Sequence, residues 1–289
     1  MDTTELLKKV RRIEIKTRRL SRNIFAGEYH SAFKGRGMAF SEVREYSYGD
    51  DMRDIDWNVT ARYNKPFVKV FEEERELTVM LLIDVSESLS FGTSTMIKRN
   101  MVAEIAATLA FSAIQNNDKI GVIFFSDKIE KFVPPKKGRK HILYIIREIL
   151  SFKPENKQTD ISMALRYLNN VIKKHCTAFV LSDFIDSNDY KQALKIANKK
   201  HDLVAIQVYD QFSTQLQPLG LMKVSDPETG TEQWIDTSSR KVREVYRTWW
   251  MNQQNEMNLA FKQSSVDSVS VSTDDDYVRS LLMLFQKRG

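Results

Sequence analysis

Thiols and imidazoles are scarce in this chain of 289 residues, which has one cysteine, Cys176, and four histidines. A single cysteine excludes a disulfide framework and any multi-cysteine zinc site. It fits a reducing compartment. The histidines, His30, His141, His175 and His201, are scattered and form no local motif, so no serine or cysteine triad can be read from the sequence. No uninterrupted apolar run approaches the roughly 20 residues that span a bilayer. The N-terminus is charged throughout its first turns and lacks the apolar core of a secretory signal. These two absences predict a soluble, cytoplasmic protein. No Gly-x-x-x-x-Gly-Lys-[Ser/Thr] stretch is present, so the chain does not read as a P-loop ATPase.

What is present is a sizeable apolar fraction, 42%, with 10% aromatic residues, enough for a substantial core. The net charge of +6 is unevenly placed. Residues 1–40 carry ten Lys/Arg against four Asp/Glu, which is the whole surplus. Within that arm, Leu6, Val10, Ile13, Thr17, Leu20 and Ile24 recur at alternating steps of four and three, predicting an amphipathic helix over 3–24. Arg11, Arg12, Lys16, Arg18, Arg19 and Arg22 flank the stripe. Such a helix either packs on its own body with a solvated basic face or meets nucleic acid, an acidic partner or a membrane surface.

Residues 25–75 form a β-rich segment punctuated by Gly27, Gly35, Gly37 and Gly49. The run Phe67-Val68-Lys69-Val70-Phe71 alternates as a half-buried strand does. Between them, residues 42–57 are dense in both charge signs. Arg36, Arg44, Asp50, Asp51, Arg53, Asp56 and Trp57 are candidates for a partner-docking face, set against the plainer reading of an ionic lattice that fixes a loop.

From residue 76 to 289 strands and helices alternate, the signature of an α/β doubly wound, mostly parallel sheet. Six strands are expected, at 77–83, 119–126, 129–133, 177–182, 203–209 and 266–272. An insertion at about 213–263 reads as a hairpin around Pro227-Glu228-Thr229-Gly230 and a long helix from about 239 to 263. Val242, Val245, Tyr246 and Trp249 share one face of that helix, and buried packing is expected for Trp249-Trp250.

The first strand, Leu77 to Ile83, is apolar without alternation, as strands buried on both faces are, and it stops on Asp84-Val85-Ser86-Glu87-Ser88. Open parallel sheets bind ligands outside the carboxyl ends of their strands. Two more oxygen-rich stretches, Gln158-Thr159-Asp160 and Leu181-Ser182-Asp183-Phe184, are expected at βα junctions of the same edge. An all-oxygen set of this kind suits a hard divalent cation such as Mg²⁺.

The pattern Asp84-x-Ser86-x-Ser88, then Thr159, then Asp183, resembles the von Willebrand factor A domain and its metal-ion-dependent adhesion site. The flanking stretch from Gly35-Arg36-Gly37 through Gly49-Asp50-Asp51-Met52-Arg53-Asp54-Ile55-Asp56-Trp57 to Phe71-Glu72-Glu73-Glu74-Arg75 narrows this further. It is similar to the bacterial domain-of-unknown-function family fifty-eight, whose members join such a signature to a von Willebrand A-like domain. The resemblance implies Mg²⁺, or Mn²⁺ or Ca²⁺ in its place, with Ser86, Ser88 and Thr159 as direct ligands. Asp84 and Asp183 would act directly or through water, and Glu87 and Asp160 would tune the site. A Glu or Asp carboxylate from a protein partner would complete the shell. The implied partner is a MoxR-type AAA+ ATPase or another von Willebrand A protein, with the chain acting as a non-enzymatic adaptor. No small-molecule substrate is expected.

Two other classes compete. A metal-dependent phosphoester hydrolase would use Asp84 as nucleophile, but needs an acid/base carboxylate where Ser86 stands and a basic residue for phosphate, which no position supplies in sequence. Nucleic-acid binding would run through the basic helix.

Overall fold

The computed structural model describes residues 3–20, 29, 32, 39–63, 65–72, 77–90, 97–156, 158–225 and 232–288. In chain order the elements are α1 (Thr3–Leu20), β1 (Ala39–Glu45), α2 (Trp57–Tyr63), β2 (Phe67–Glu72), β3 (Thr78–Asp84), α3 (Lys98–Gln115), β4 (Lys119–Phe125) and β5 (Ile129–Lys136). They continue with α4 (Arg139–Ser151), α5 (Ile161–Val171), β6 (Thr177–Ser182), α6 (Lys191–Lys200), β7 (Asp202–Tyr209), β8 (Leu221–Ser225), β9 (Glu232–Asp236), α7 (Arg240–Gln263), β10 (Asp267–Ser272) and α8 (Tyr277–Arg288). The chain divides into two compact units, one of residues 1–33 with 77–289 and one of residues 34–76.

In the larger unit, successive residues of β3 face opposite sides, as the pleat of a strand requires. Val79, Leu81 and Ile83 enter one apolar cluster with α1, α3, α4 and α8. Met80 and Leu82 enter another with α5, α6 and α7. A strand covered on both faces has no polar side to show, which is why its sequence runs apolar without alternation. The six-stranded sheet has the order β10-β7-β6-β3-β4-β5. All its neighbours are parallel except β4 and β5, which pair antiparallel at one edge. The order reverses between β3 and β6, the switch point at which such sheets open a crevice. The expected α/β doubly wound architecture is therefore the one observed.

Helix α3 is buried along most of its length, from Met101 to Ala113. Beyond its C-terminal end, Asp118 accepts a hydrogen bond from the Leu77 amide at 2.9 Å. Helix α1 packs on this unit: Val10 and Ile13 are in the core, and the Thr17 hydroxyl donates to the Ile13 carbonyl at 2.8 Å. Part of its charge is consumed by the same unit, since Lys16 pairs with Glu104 and Glu14 with Arg139. The predicted stripe is thus the docked face of α1, with Ile24 outside the described residues.

The edge pair β4·β5 shifts register between Ile120 and Val122. Gly121 sits at the irregularity because a Cβ there would come within 2.9 Å of the Pro135 nitrogen and the Val133 oxygen. In the insertion, β8 and β9 pair antiparallel as a hairpin, with Pro227 to Gly230 outside the described residues.

Two expectations need correction. Helix α7 buries Trp250, Met257, Ala260 and Phe261, but not Trp249, for which buried packing was expected beside Trp250. Val245 is 63% exposed, and of the tryptophan pair only Trp250 is buried. The helix contacts its unit mainly through its C-terminal half, and apolar spacing alone does not say which half docks. The second correction concerns Thr159. Its loop joins α4 to α5 instead of following a strand.

In the smaller unit β1 and β2 pair antiparallel with a bulge between Phe40 and Glu42, and Ile55 bridges to Val68. The Thr60 hydroxyl accepts from the Phe67 amide at 3.0 Å, tying α2 to the start of β2.

Candidate metal centre

The site grows from the end of β3. Asp84 is the last residue of that strand and is 1% exposed. One of its carboxylate oxygens accepts from the Ser86 amide at 2.9 Å, which turns the chain out of the sheet. The other accepts from the Ser182 hydroxyl at 2.6 Å, across to the end of β6. The Ser182 hydroxyl in turn accepts from the Phe184 amide at 3.0 Å. Ser86 and Ser88 place their hydroxyl oxygens 3.0 Å apart. Glu87 opens the short 3-10 turn Glu87–Ser90 between them.

Asp183 follows β6 directly and is also 1% exposed. The buried Gln207 donates to its backbone carbonyl at 3.2 Å and accepts from the Ser270 hydroxyl at 2.8 Å. A relay through β7 and β10 therefore holds the Asp183 backbone. The next residue, Phe184, has a φ of 58°. That value is unusual for an aromatic side chain and costs energy that the surrounding contacts must meet. Its ring sits edge-on to Phe261 at 5.0 Å.

Thr159 reaches this edge through its neighbours. The Asp160 amide donates to the Ser126 carbonyl, just past β4, at 3.0 Å. The Ile161 amide donates to Asp186 of the loop after β6 at 2.8 Å. Asp160 itself is spent as the N-cap of α5, accepting from the Met163 amide at 2.8 Å. The Thr159 side chain is 3% exposed, and its hydroxyl has no hydrogen-bond partner among the described residues.

The electrostatics concentrate on Asp84. Burial, then the neighbouring charge of Asp183, push its carboxyl up to about 7, against the opposing pull of hydrogen bonds from Ser182 and Ser86. Two buried carboxylates on one edge call for positive charge. The Lys98 ammonium, 4% exposed at the first turn of α3, supplies some of it at 3.1 Å from the Asp183 carboxylate. Neither Lys98 nor Ser182 was singled out from the sequence. A serine beside a site residue reads like any cap, and the lysine is 85 positions from its partner. The basic residue missing from the sequence-level phosphatase reading is therefore present in the fold, although Ser86 still stands where a second carboxylate would be needed.

Does this set fit a divalent cation? No group of three or more His, Cys, Asp or Glu side chains among the described residues is placed to hold a metal. The donors are instead two carboxylates and three hydroxyls. That chemistry suits Mg²⁺ or a similar hard ion, which keeps part of its water shell. The unpartnered Thr159 hydroxyl is the observation that fits, because buried hydroxyls are normally satisfied.

A cavity of about 260 Å³ opens beside the site, lined among others by Phe184, Asp186, Asp189, Tyr190, Lys191 and Glu256. Its acidic excess is the wrong sign for a phosphate group. The pair Cys176 and His201, which the sequence did not connect, lies 3.3 Å apart in the core. Burial pushes the thiol up to about 12 and the imidazole down to about 4, so the cysteine is an inert thiol, not a nucleophile.

The candidate docking residues hold one another. Arg44 grips Asp50 with two hydrogen bonds of 2.8 and 2.7 Å. That grip, with the Ser47 amide, draws the Asp50 carboxyl below its ordinary range. Asp51 caps the turn Met52–Asp54 by accepting from the Arg53 amide. Asp56 accepts from the Val59 and Asn58 amides at the start of α2 and lies 3.7 Å from Lys69. The dense charge is thus largely a lattice that shapes the loop. Trp57 is 69% exposed, and Arg36 lies outside the described residues.

A six-stranded sheet ordered β10-β7-β6-β3-β4-β5 with one antiparallel edge is a doubly wound, mostly parallel α/β fold. The chain belongs to the family described as "Protein of unknown function DUF58", which matches residues 42–256. It is 28% identical over 232 residues to the uncharacterized protein Rv1480 of Mycobacterium tuberculosis, covering 80% of this chain and 73% of that one. It is 26% identical over 109 residues to the uncharacterized protein YeaD of Bacillus subtilis, covering 38% and 25%. Among solved structures it is similar to an aerotolerance-related membrane protein of Bacteroides fragilis at 13% identity, covering 73% of this chain and 99% of that one with a TM-score of 0.49. The SpRpn10 VWA domain gives 12% identity, 72% and 94% coverage and a TM-score of 0.40. The sheet order, not these likenesses, carries the fold. No helix among the described residues is long and apolar enough to cross a membrane.

Proposed function

We propose that this protein is a non-enzymatic, divalent-metal-dependent protein-interaction module. Ser86, Ser88 and Thr159 would hold a Mg²⁺ or Mn²⁺ ion with Asp84 and Asp183, directly or through water. The metal supplies an electrophilic position that accepts a Glu or Asp carboxylate from a partner. The observation that carries this reading is the Thr159 hydroxyl, buried without a partner among the described residues on the same edge as two buried carboxylates. Buried polar groups left unpaired are costly, and a cation would satisfy all three at once. The chain's own residues do the positioning: Ser182 orients Asp84, and Gln207 fixes the Asp183 backbone. The resemblance described above makes a cytoplasmic MoxR-type AAA+ ATPase the proposed partner, with the chain as its adaptor.

Titration calorimetry with Mg²⁺ and Mn²⁺ tests the site. Wild type is expected to bind one ion and Asp84→Ala none; absence of binding by the wild type would end the metal reading. Lys98 beside the carboxylates favours one second reading, a metal-dependent phosphoester hydrolase. Turnover of a generic phosphoester that Asp84→Ala abolishes would replace the adaptor with that enzyme.

A further inference from the structure

Lysine is an unexpected residue at position 98. The first turn of a helix presents unpaired amides and positive potential, so a cation there is disfavoured by the helix itself. α3 has no acidic residue in that turn and no side-chain N-cap to offset it. The turn that follows enters the core through Met101 and Val102. A long, strongly hydrated ammonium is seldom buried to 4% exposure unless a charge is waiting for it. Here that charge is Asp183, 3.1 Å away, which in turn neighbours Asp84. Helix potential and burial both oppose the placement. The carboxylate pair alone explains it.

From this we infer that Lys98 is a tethered cation that competes with the divalent ion for Asp183, so that loading the site requires the ammonium to give way. The inference rests on the metal reading proposed above and adds a control to it. When both are ionised, as a bound dication requires, the two carboxylates carry a charge of −2, and the ammonium reduces it to −1. An incoming dication then meets about half the net attraction. The partner's carboxylate benefits in the opposite sense, because an ammonium kept nearby and a metal ion both attract it. The site thus has two cations available for one carboxylate pair, one permanent and one exchangeable, and their balance sets how much free metal is needed to arm it.

An alternative role, in which Lys98 only orients Asp183, predicts no tightening when a donor is kept. Lys98→Gln separates them, since it keeps a hydrogen-bond donor for Asp183 and removes the charge. Mn²⁺ affinity is measured by calorimetry on the full chain for wild type, Lys98→Gln and Lys98→Arg, with circular dichroism to confirm folding. Lys98→Met serves in place of Lys98→Gln if the latter does not fold. Removing a unit charge this close to a dication is expected to tighten Mn²⁺ binding about tenfold or more. Lys98→Arg, which keeps the charge, should show no such tightening. In chelator, Lys98→Gln should melt below wild type and regain the difference when Mn²⁺ is added. Equal or weaker Mn²⁺ binding by folded Lys98→Gln would overturn the inference while leaving the metal reading intact. Binding by Lys98→Gln but not by wild type would end the metal reading for the native protein, and the inference with it. If neither binds, both readings fall.

Discussion

Replacing Thr159 by valine tests the centre through stability, with a sign that most core substitutions do not have. The side chain keeps its shape and loses only a buried hydroxyl that has no partner among the described residues, in a residue 3% exposed. A buried, unsatisfied hydroxyl costs about 1–3 kcal/mol of desolvation, and an apolar group of the same shape does not incur it. Taking the lower half of that range, Thr159→Val should stabilise the protein in chelator by about 1 kcal/mol, or about 2–4 °C in melting temperature for a chain of this size. With Mn²⁺ at about a hundred times its dissociation constant, linkage adds about 2.7 kcal/mol to the wild type. The variant, short of one ligand, should gain little of this. The two proteins are therefore expected to exchange rank: the variant more stable without metal, the wild type more stable with it. Urea unfolding in EDTA and in Mn²⁺ measures both. A variant that loses 1 kcal/mol or more in EDTA would mean that the hydroxyl is satisfied after all. An equal gain from Mn²⁺ in both proteins would remove Thr159 from the ligand set.

Two further outcomes follow from features outside the centre. His201 is held neutral down to about pH 4 by burial first, then by Lys200 and His175, with the thiol of Cys176 on its other side. In the unfolded chain it protonates near its ordinary value, so the unfolded state binds more protons and stability falls as pH drops from about 6.5 to about 4, by about 2 kcal/mol after allowance for solvent screening. His201→Asn should lose that slope. The raised carboxyl of Asp84 contributes a slope of opposite sign but is common to both proteins, so the comparison is a difference of urea midpoints across this window; parallel profiles would refute it. Gly121→Ala would push a methyl against the backbone of β5 and should cost about 1–3 kcal/mol of stability. An unchanged midpoint would show that the edge strand yields without strain.

Periodicity carries far in this chain, and its failures have a common cause. β3 is recognisable because burial on both faces leaves nothing polar in it, and α1 because one face docks. Asp84, Ser86, Ser88 and Asp183 are legible because loop chemistry at strand ends is local. Thr159 was placed at the correct edge but on the wrong kind of loop, since the hydrogen bonds that bring it there run to Ser126 and Asp186, far along the chain. Lys98, Gln207 and the pair of Cys176 and His201 left no trace in the sequence. Each is defined by a partner that only the fold supplies, and a lone lysine or glutamine inside an apolar helix or strand has no spacing to betray it. The expected burial of Trp249 failed while that of Trp250 held, because an inserted helix touches its unit over part of its length, while spacing describes all of it.

Helix α3 is greased along its flanks and pinned at its tips. Apolar packing holds the helix on the sheet, and polar contacts at opposite ends add to its register: Lys98 on Asp183 at one, Asp118 on the Leu77 amide at the other. Whatever loosens the first leaves the helix anchored by the second, beside the start of the strand that ends in Asp84. The carboxylates and the opposite edge of the sheet are in this way joined by five turns of buried helix.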